Sequence, residues 1–395
     1  MSNLRILYAA GPGDIVGTFR YWLHGKDDPR VPDVAYSRQF LDVCQQVGAD
    51  GWIISANPRR DLVEAGAIRA ENRPITFDGR SGLIFHVGRA LYTLGLIRSA
   101  IRFRADVVVA AHGVHWFLLS LLPLFGIKVV PAIHNTLWLA LVPPRFTERV
   151  LLFLARPLFA FWSLAILAHP GTCARQVSEL ASGRSRPIVP FLPFYREYAF
   201  TGVPQRGARR PPFRVMFAGR IEADKGVFDL LEVARQLTER HRLDIEFDIC
   251  GAGSCLERLR REATAAGLAE RFRCHGYLEP RALGKIFGAC HVVVVPTRSD
   301  FTEGFNAVVA EAILAGRPVI TSRLCPAIDL VRDAAVEIPP NDVAACRDAI
   351  LLLCDQDPIY EIKRNACSQL KAQFFDSRNS WGEGLSRILA NTAKV

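Results

Sequence analysis

The 395-residue sequence predicts an α/β protein of two doubly wound domains facing a cleft. Three observations carry that reading. Short apolar runs rich in Val, Ile and Ala alternate with helix-length segments through residues 1–200, and a second such alternation fills residues 213–375. Between them, residues 201–212 turn to Pro, Gly and Arg with no apolar period, which marks a linker. Residues 376–395 contain a last helical segment, expected to cross back to the first domain.

The first strand is expected at residues 4–10, running into a Gly11-Pro12-Gly13 loop. Residues 51–55, 106–111, 128–133 and 164–168 have the length and composition of strands buried on both faces. Residues 37–47 and 83–103 supply helices between them. In the second half, strands at 213–218, 243–250, 272–275, 290–296 and 318–321 alternate with helices at 226–237, 256–266 and 281–289. Residues 345–354, 361–374 and 377–391 are helical.

Half the residues are hydrophobic and 22% are charged, which excludes a disordered chain. The ten cysteines include no Cys-x-x-Cys pair, so they read as reduced, buried thiols rather than a zinc or redox site. The sequence runs from Met1 straight into its first strand without a signal peptide, making the cytoplasm the expected location. Charge is lopsided: residues 1–212 hold 25 Lys/Arg against 14 Asp/Glu, and residues 213–395 hold 24 against 25. An anionic partner for the first half, such as a membrane surface, is one reading; a solvated basic face is the other. No nucleic-acid motif accompanies the excess, so no nucleic acid is expected as a partner.

Residues 150–168 carry a single charge, Arg156. A transmembrane span is opposed by Arg156 and Pro157 in mid-run and by the strand at its end. A buried helix followed by a strand is the first expectation. The alternative is an amphipathic face lying on a membrane, with Arg145, Arg149 and Arg156 beside Phe153, Phe159, Phe161 and Trp162.

The chemistry concentrates in the second half. Glu303 stands on a Gly-flanked loop and Glu311 inside the apolar run Ala-Val-Val-Ala-Glu-Ala-Ile-Leu-Ala, between a strand ending at Pro296 and another beginning at Pro318. Such a strand–loop–helix–strand unit places its loop at the carboxyl end of a parallel sheet, with free helix N–H groups suited to phosphate. A carboxylate beside a phosphate site points to a nucleotide-sugar. Gly219-Arg220, followed by Lys225-Gly226, also leaves a strand and opens a helix, so two cations can converge on one diphosphate. The plainer readings are solvated loop cations and a Glu303 that only faces the helix dipole.

Phe217-Ala-Gly219-Arg220 with Lys225-Gly226, Gly251-Ala-Gly253, and Glu303-Gly304-Phe305 leading to Glu311 and Gly316-Arg-Pro318 together resemble retaining GT-B glycosyltransferases of the family-four type, the glycosyl transferases of group 1. The match covers about residues 213–340 and is mainly architectural before them. The resemblance implies two Rossmann-like domains in which Arg220 and Lys225 hold the donor diphosphate and stabilise the leaving group. It implies that Glu303 meets the donor-sugar hydroxyls and that Glu311 bonds the nucleotide ribose. It also assigns Gly219, Gly251, Gly304, Phe305, Asn306 and Ala307 to donor binding, with backbone N–H groups of the last three positioning sugar and phosphate. Asn306 stands where the family commonly has glycine, a position asking for left-handed backbone. His134, in Ala132-Ile-His134-Asn135, matches a position whose imidazole reaches the donor sugar.

Gly11 and Gly13 are expected to admit a phosphate, Asp14 to orient an acceptor hydroxyl, and His112 to line the acceptor side together with His115, although a histidine at a strand end is as readily structural. No metal is expected, and Asp355-Gln-Asp357 reads as a surface turn. Lys225 is expected to face solvent until donor binds. The resulting expectation is a metal-independent retaining hexosyltransferase using a nucleoside diphosphate-sugar as co-substrate and no cofactor. Its acceptor is lipid-linked or saccharide, in envelope, exopolysaccharide or glycolipid synthesis. The alternatives are a nucleotide-sugar epimerase on the same fold and a non-catalytic membrane- or polyanion-binding relic.

Overall fold

The computed structural model describes residues 3–31, 33–75, 81–204, 211–241 and 244–392. Residues 205–210 of the expected linker and Leu243 of an expected strand lie outside them. The chain forms two compact units. Unit 1 is Met1–Leu137, Pro144–Phe194 and Ser377–Val395; unit 2 is Trp138–Pro143 and Tyr195–Asp376. The boundary falls before residue 200 because Tyr195 is already tied into unit 2: its N–H donates to Phe374 O at 2.9 Å and its hydroxyl to Ala307 O at 3.3 Å.

Unit 1 runs β1 Arg5–Pro12, α1 Ile15–Leu23, α2 Tyr36–Val47, β2 Asp50–Ala56, β3 Asp61–Ala65, β4 Ile68–Arg73, α3 Gly82–Phe103, β5 Val107–Ala110, α4 Trp116–Leu119, β6 Lys128–Ile133, α5 Phe146–Pro157, β7 Ile166–Ala168, α6 Thr172–Leu180 and β8 Ile188–Pro190. Among the described residues its sheet has eight strands in the order β3-β4-β2-β1-β5-β6-β7-β8, parallel except for the β3–β4 pair. Alternate residues of β1 enter different cores: Ile6 and Tyr8 pack on one face, Leu7 and Ala9 on the other. Both faces are covered, as all-apolar strands require.

Three expectations for unit 1 need correcting. Gly11 and Pro12 remain in β1, after a register shift, rather than forming a loop. The β3–β4 hairpin was not expected, because β4 buries Glu71 and Asn72, and polar side chains at buried positions hide the apolar pattern of a strand. Both are partnered: Arg73 donates to Glu71 at 2.9 Å, and Ser55 Oγ to Asn72 Oδ1 at 3.0 Å. Finally, the run 150–168 is not a buried helix and strand throughout. In α5 Ala155 alone is buried, while Leu158, Phe159, Ala160 and β7 enter the core.

Unit 2 runs β9 Phe213–Ala218, α7 Val227–Gln236, β10 Ile245–Cys250, α8 Leu256–Ala265, β11 Phe272–Gly276, α9 Pro280–Ala289, β12 Val292–Val295, α10 Ala307–Leu314, β13 Val319–Ser322, α11 Ile328–Val331, β14 Ala335–Ile338, α12 Val343–Asp355, α13 Asp357–Leu370 and α14 Ala372–Phe375. The sheet is wholly parallel, ordered β11-β10-β9-β12-β13-β14. Arg317, 1% exposed, ties α9 down by donating to the carbonyls of Phe287 at 2.8 Å and Gly288 at 3.1 Å. Asp355 and Asp357 sit at the exposed α12–α13 junction. The terminal helix α15, Trp381–Thr392, packs on α2 within unit 1, with Trp381 5.0 Å from the Tyr8 ring.

Candidate functional site

In each unit the strand order reverses at one place, and a doubly wound sheet opens a crevice there beyond its strand ends. In unit 2 this place lies between β9 and β12. The loop leaving β9 carries Gly219, Arg220 and Lys225; the loop leaving β12 carries Thr297, Phe301 and Glu303. Glycine lets these backbones meet. Gly226 has φ 75°, and a Cβ there would strike the Pro296 carbonyl; a Cβ on Gly251, φ 140°, would strike the Gly219 carbonyl. Glu222 then fastens the β9 loop to the loop after β10 by accepting from the Ser254 N–H at 2.8 Å.

Glu303 is buried, and its Oε2 accepts from Lys225 Nζ at 2.7 Å, Thr297 Oγ1 at 2.7 Å and Asn306 Nδ2 at 3.2 Å. Lys225 does not face solvent as expected: its side chain is 12% exposed, held by that ion pair and by the Phe301 ring, whose centroid is 3.8 Å from Nζ. The exposed Arg220 lies over the same ring, its Cζ 5.3 Å from the centroid. Two cations therefore converge on one aromatic ring. Asn306 caps α10 with φ 61°, the left-handed geometry expected of it, and makes no side-chain cap bond, so the first N–H groups of α10 point toward the loop region uncapped. Ala307 is exposed at that end; Gly304 and Phe305 are buried, with Phe305 5.9 Å from Phe374, and Glu311 is buried in the second turn.

In unit 1 the reversal lies between β1 and β5. A pocket of about 560 Å³ opens there, lined by Gly11 at the end of β1, Gly13 and Asp14 after it, His112 after β5 and His134 after β6. Asp14 caps α1 through Gly17 N–H at 2.9 Å and takes Asn72 Nδ2 at 2.8 Å and Arg30 at 2.7 Å. Burial would raise its carboxyl, but the bonds from Arg30, Asn72 and Gly17 outweigh that and hold it at about 2. Arg30 also grips Asp28 at 2.6 Å. Burial, with Arg89 nearby, lowers His112 to about 4; burial, then the neighbouring His169 and His112, lowers His134 well below an ordinary imidazole. Both are neutral at pH 7. Neither ring nitrogen of His134 has a partner among the described residues, and its ring centroid lies 4.4 Å from that of Tyr36, the planes tilted by 50°. His115 is turned away from this pocket, its Nε2 3.1 Å from the His86 carbonyl.

The expected residues thus fall into two groups, one at each switch point. Sequence reasoning passed over Thr297 and Phe301 in the first and Asp28, Arg30, Asp33 and Tyr36 in the second. Among the described residues no group of three His, Cys, Asp or Glu side chains is placed to hold a metal.

Residues 203–372 match the family model described as glycosyl transferases group 1. Among curated proteins, the chain is 28% identical over 176 residues to the alpha-D-kanosaminyltransferase of Streptomyces kanamyceticus, a match taking in 44% of each chain. The match thus spans under half the length of that relative. Among solved structures, sucrose-phosphate synthase from Thermosynechococcus elongatus aligns with a TM-score of 0.67 at 15% identity, over 99% of this chain and 98% of that one. Anabaena HepE, solved in complex with UDP and glucose, aligns with a TM-score of 0.64 at 14% identity, over 99% and 100%. The fold is that of GT-B glycosyltransferases.

Proposed function

We propose that this chain is a retaining glycosyltransferase moving a hexose from a nucleoside diphosphate-sugar to a hydroxyl of a saccharide or lipid-linked acceptor in cell-envelope, exopolysaccharide or glycolipid synthesis. One observation carries the reading: Arg220 and Lys225 share the Phe301 ring while Lys225 is locked to Glu303, all at the switch point of a parallel sheet. The family match over the same residues and the UDP and glucose bound by HepE support a nucleotide-sugar as ligand.

The chemistry follows from the charges. As the bond between C1 and the phosphate oxygen breaks, negative charge gathers on the diphosphate and positive charge on the sugar ring. Arg220, Lys225 and the amino end of α10 face the first; one preorganised donor of this kind contributes about 3 kcal/mol to a barrier. Glu303, fixed by its four donors, faces the sugar hydroxyls, and Glu311 the ribose. His134, neutral and with both nitrogens unengaged, offers a hydrogen bond to a sugar hydroxyl. The acceptor oxygen attacks C1 on the face the diphosphate leaves, and its proton passes to the departing phosphate oxygen, so the anomeric configuration is kept and no metal enters. Incubation with a panel of UDP-, GDP- and ADP-sugars, followed by proton NMR of the product, checks this. The reading expects a retained anomer formed equally well in EDTA; an inverted anomer or a strict need for Mg²⁺ refutes the mechanism, and release of epimerised free sugar favours the epimerase.

We infer too that unit 1 rests on the cytoplasmic, anionic face of a membrane. Helix α5 and the turn after it expose Phe146 at 80%, Phe153 at 70% and Phe161 at 60%, with Arg145 and Arg149 exposed among them. Helix α4 packs against both α5 and α3, and α3 exposes Leu83, Ile84 and Leu91. Apolar side chains interleaved with arginine suit a surface with acyl chains below anionic headgroups. No helix among the described residues is long and apolar enough to cross a membrane.

A further inference from the structure

The pocket of unit 1 has a charge opposed to its surroundings. Residues 1–212 hold eleven more basic than acidic side chains, yet the pocket is lined by three carboxylates, Asp14, Asp28 and Asp33, against a single guanidinium, Arg30. Arg30 is fully engaged: it pairs with Asp14 at 2.7 Å and Asp28 at 2.6 Å. Asp28 takes Thr18 Oγ1 at 3.0 Å besides. These two carboxylates are spent. Asp33 differs from both, for no side chain among the described residues bonds its carboxylate. Burial pushes its carboxyl up to about 6, the mark of a charge without a counter-charge.

The remaining wall is neutral. His112 and His134 are uncharged, and Tyr36 and His134 line the pocket with aromatic rings against which the C–H face of a sugar can pack. A phosphate entering here would meet only Arg30, already shared by two carboxylates, and would lie beside three acids. An ammonium would find the one carboxylate of the three that is bonded by its own backbone N–H and by no described side chain.

Resting on the glycosyl-transfer reading above, we propose that the unit 1 pocket receives its acceptor as an amine-bearing polyol, an amino sugar or aminocyclitol, with the ammonium at Asp33. One ring hydroxyl then meets the His134 nitrogen that the donor sugar leaves open. Specificity for the acceptor comes from that single acid without a counter-charge, and a phosphorylated ring is the least favoured occupant.

Isothermal titration of the full chain with glucosamine, N-acetylglucosamine and glucose 6-phosphate tests the proposal, since these probes share a ring and differ in charge. Glucosamine should bind at least about tenfold more tightly than N-acetylglucosamine, as a charge-assisted bond replaces a neutral one, and glucose 6-phosphate most weakly. Asp33→Asn should bring the first ratio to about one, and Asp33→Glu should restore part of it. Equal affinities in the wild type, or a ratio untouched by Asp33→Asn, overturn the proposal. A parallel titration with the UDP-, GDP- and ADP-sugar panel separates the failures. If a donor binds without any amine preference, the acceptor assignment falls alone; if no donor binds, it falls with the glycosyl-transfer reading.

Discussion

Phe301 gives two cations one ring to lie on, Lys225 at 3.8 Å and Arg220 at 5.3 Å from its centroid. Each such contact stabilises by about 0.5–1 kcal/mol when exposed and about 2 kcal/mol when desolvated. The larger consequence is positional, since the ring holds both charges together before any diphosphate arrives. Phe301→Leu should therefore lower kcat/KM about tenfold, near 1.4 kcal/mol, with an unchanged fold; unaltered kinetics would make Phe301 a packing residue. Lys225→Ala is the less informative change, because it strips a buried Glu303 of its cation and costs stability as well as turnover. At this scale the sequence was legible where chemistry is spelled by residue type. Arg220, Lys225, Glu303 and the left-handed Asn306 were all readable from their motifs. Phe301 was not: an aromatic in Ser-Asp-Phe-Thr carries no sign that two cations will fold onto it. Asp33 was equally silent, because whether a carboxylate is paired depends on contacts that spacing does not encode.

Among elements, α5 shows best how tertiary context overrides composition. Its apolar run promised burial, yet the helix leaves Phe146, Val150, Phe153 and Leu154 outside the core. Pro157 is its last residue, the chain continuing through a π-helical turn, Leu158–Trp162, and it turns inward only from Leu158. If that face meets a membrane, the protein should cosediment with vesicles of phosphatidylglycerol and phosphatidylcholine. Phe153→Ser and Trp162→Ser should each weaken binding about tenfold, in line with about 1.5–3 kcal/mol for burying a large apolar side chain. Binding that is absent, or indifferent to both changes, leaves α5 without this role. The all-apolar strands β5 and β12 were easily read because a fully buried strand needs no alternation. The β3–β4 hairpin was hidden because the strand buries Glu71 against Arg73, two residues on, and Asn72 against Ser55 and Asp14, far off in sequence.

Across the whole molecule, unit 1 stores a pH dependence in its buried histidines. His112, His134 and His169 are all lowered from the ordinary imidazole range, chiefly by burial, His112 to about 4 and His169 to about 3. The unfolded chain binds protons on these rings below about pH 6.5 while the folded chain does not, so stability falls as pH drops from about 6.5 toward 4. Asp33, raised to about 6, acts in the opposite sense between about pH 4 and 6, but one acid opposes three imidazoles. Melting temperature should therefore decline steadily from pH 6.5 to 4.5, and His112→Asn should flatten the decline. A melting temperature level over that range would show that the rings are hydrated or already paired.

The two-domain plan was legible throughout, since each half repeats strand and helix in the order a parallel sheet demands. What the sequence withheld was which loops meet, because strand order, and with it the switch point, is fixed only by packing. The account stands or falls on the cations at that switch point gripping a diphosphate. Arg220 is the clean probe: it is exposed, its contact is the Phe301 ring, and its loss should leave the fold intact. With the best donor from the sugar-nucleotide panel, Arg220→Ala should lower turnover about 100-fold or more while the melting temperature stays within about 2 °C of the wild type. Turnover within a few-fold of the wild type would contradict it.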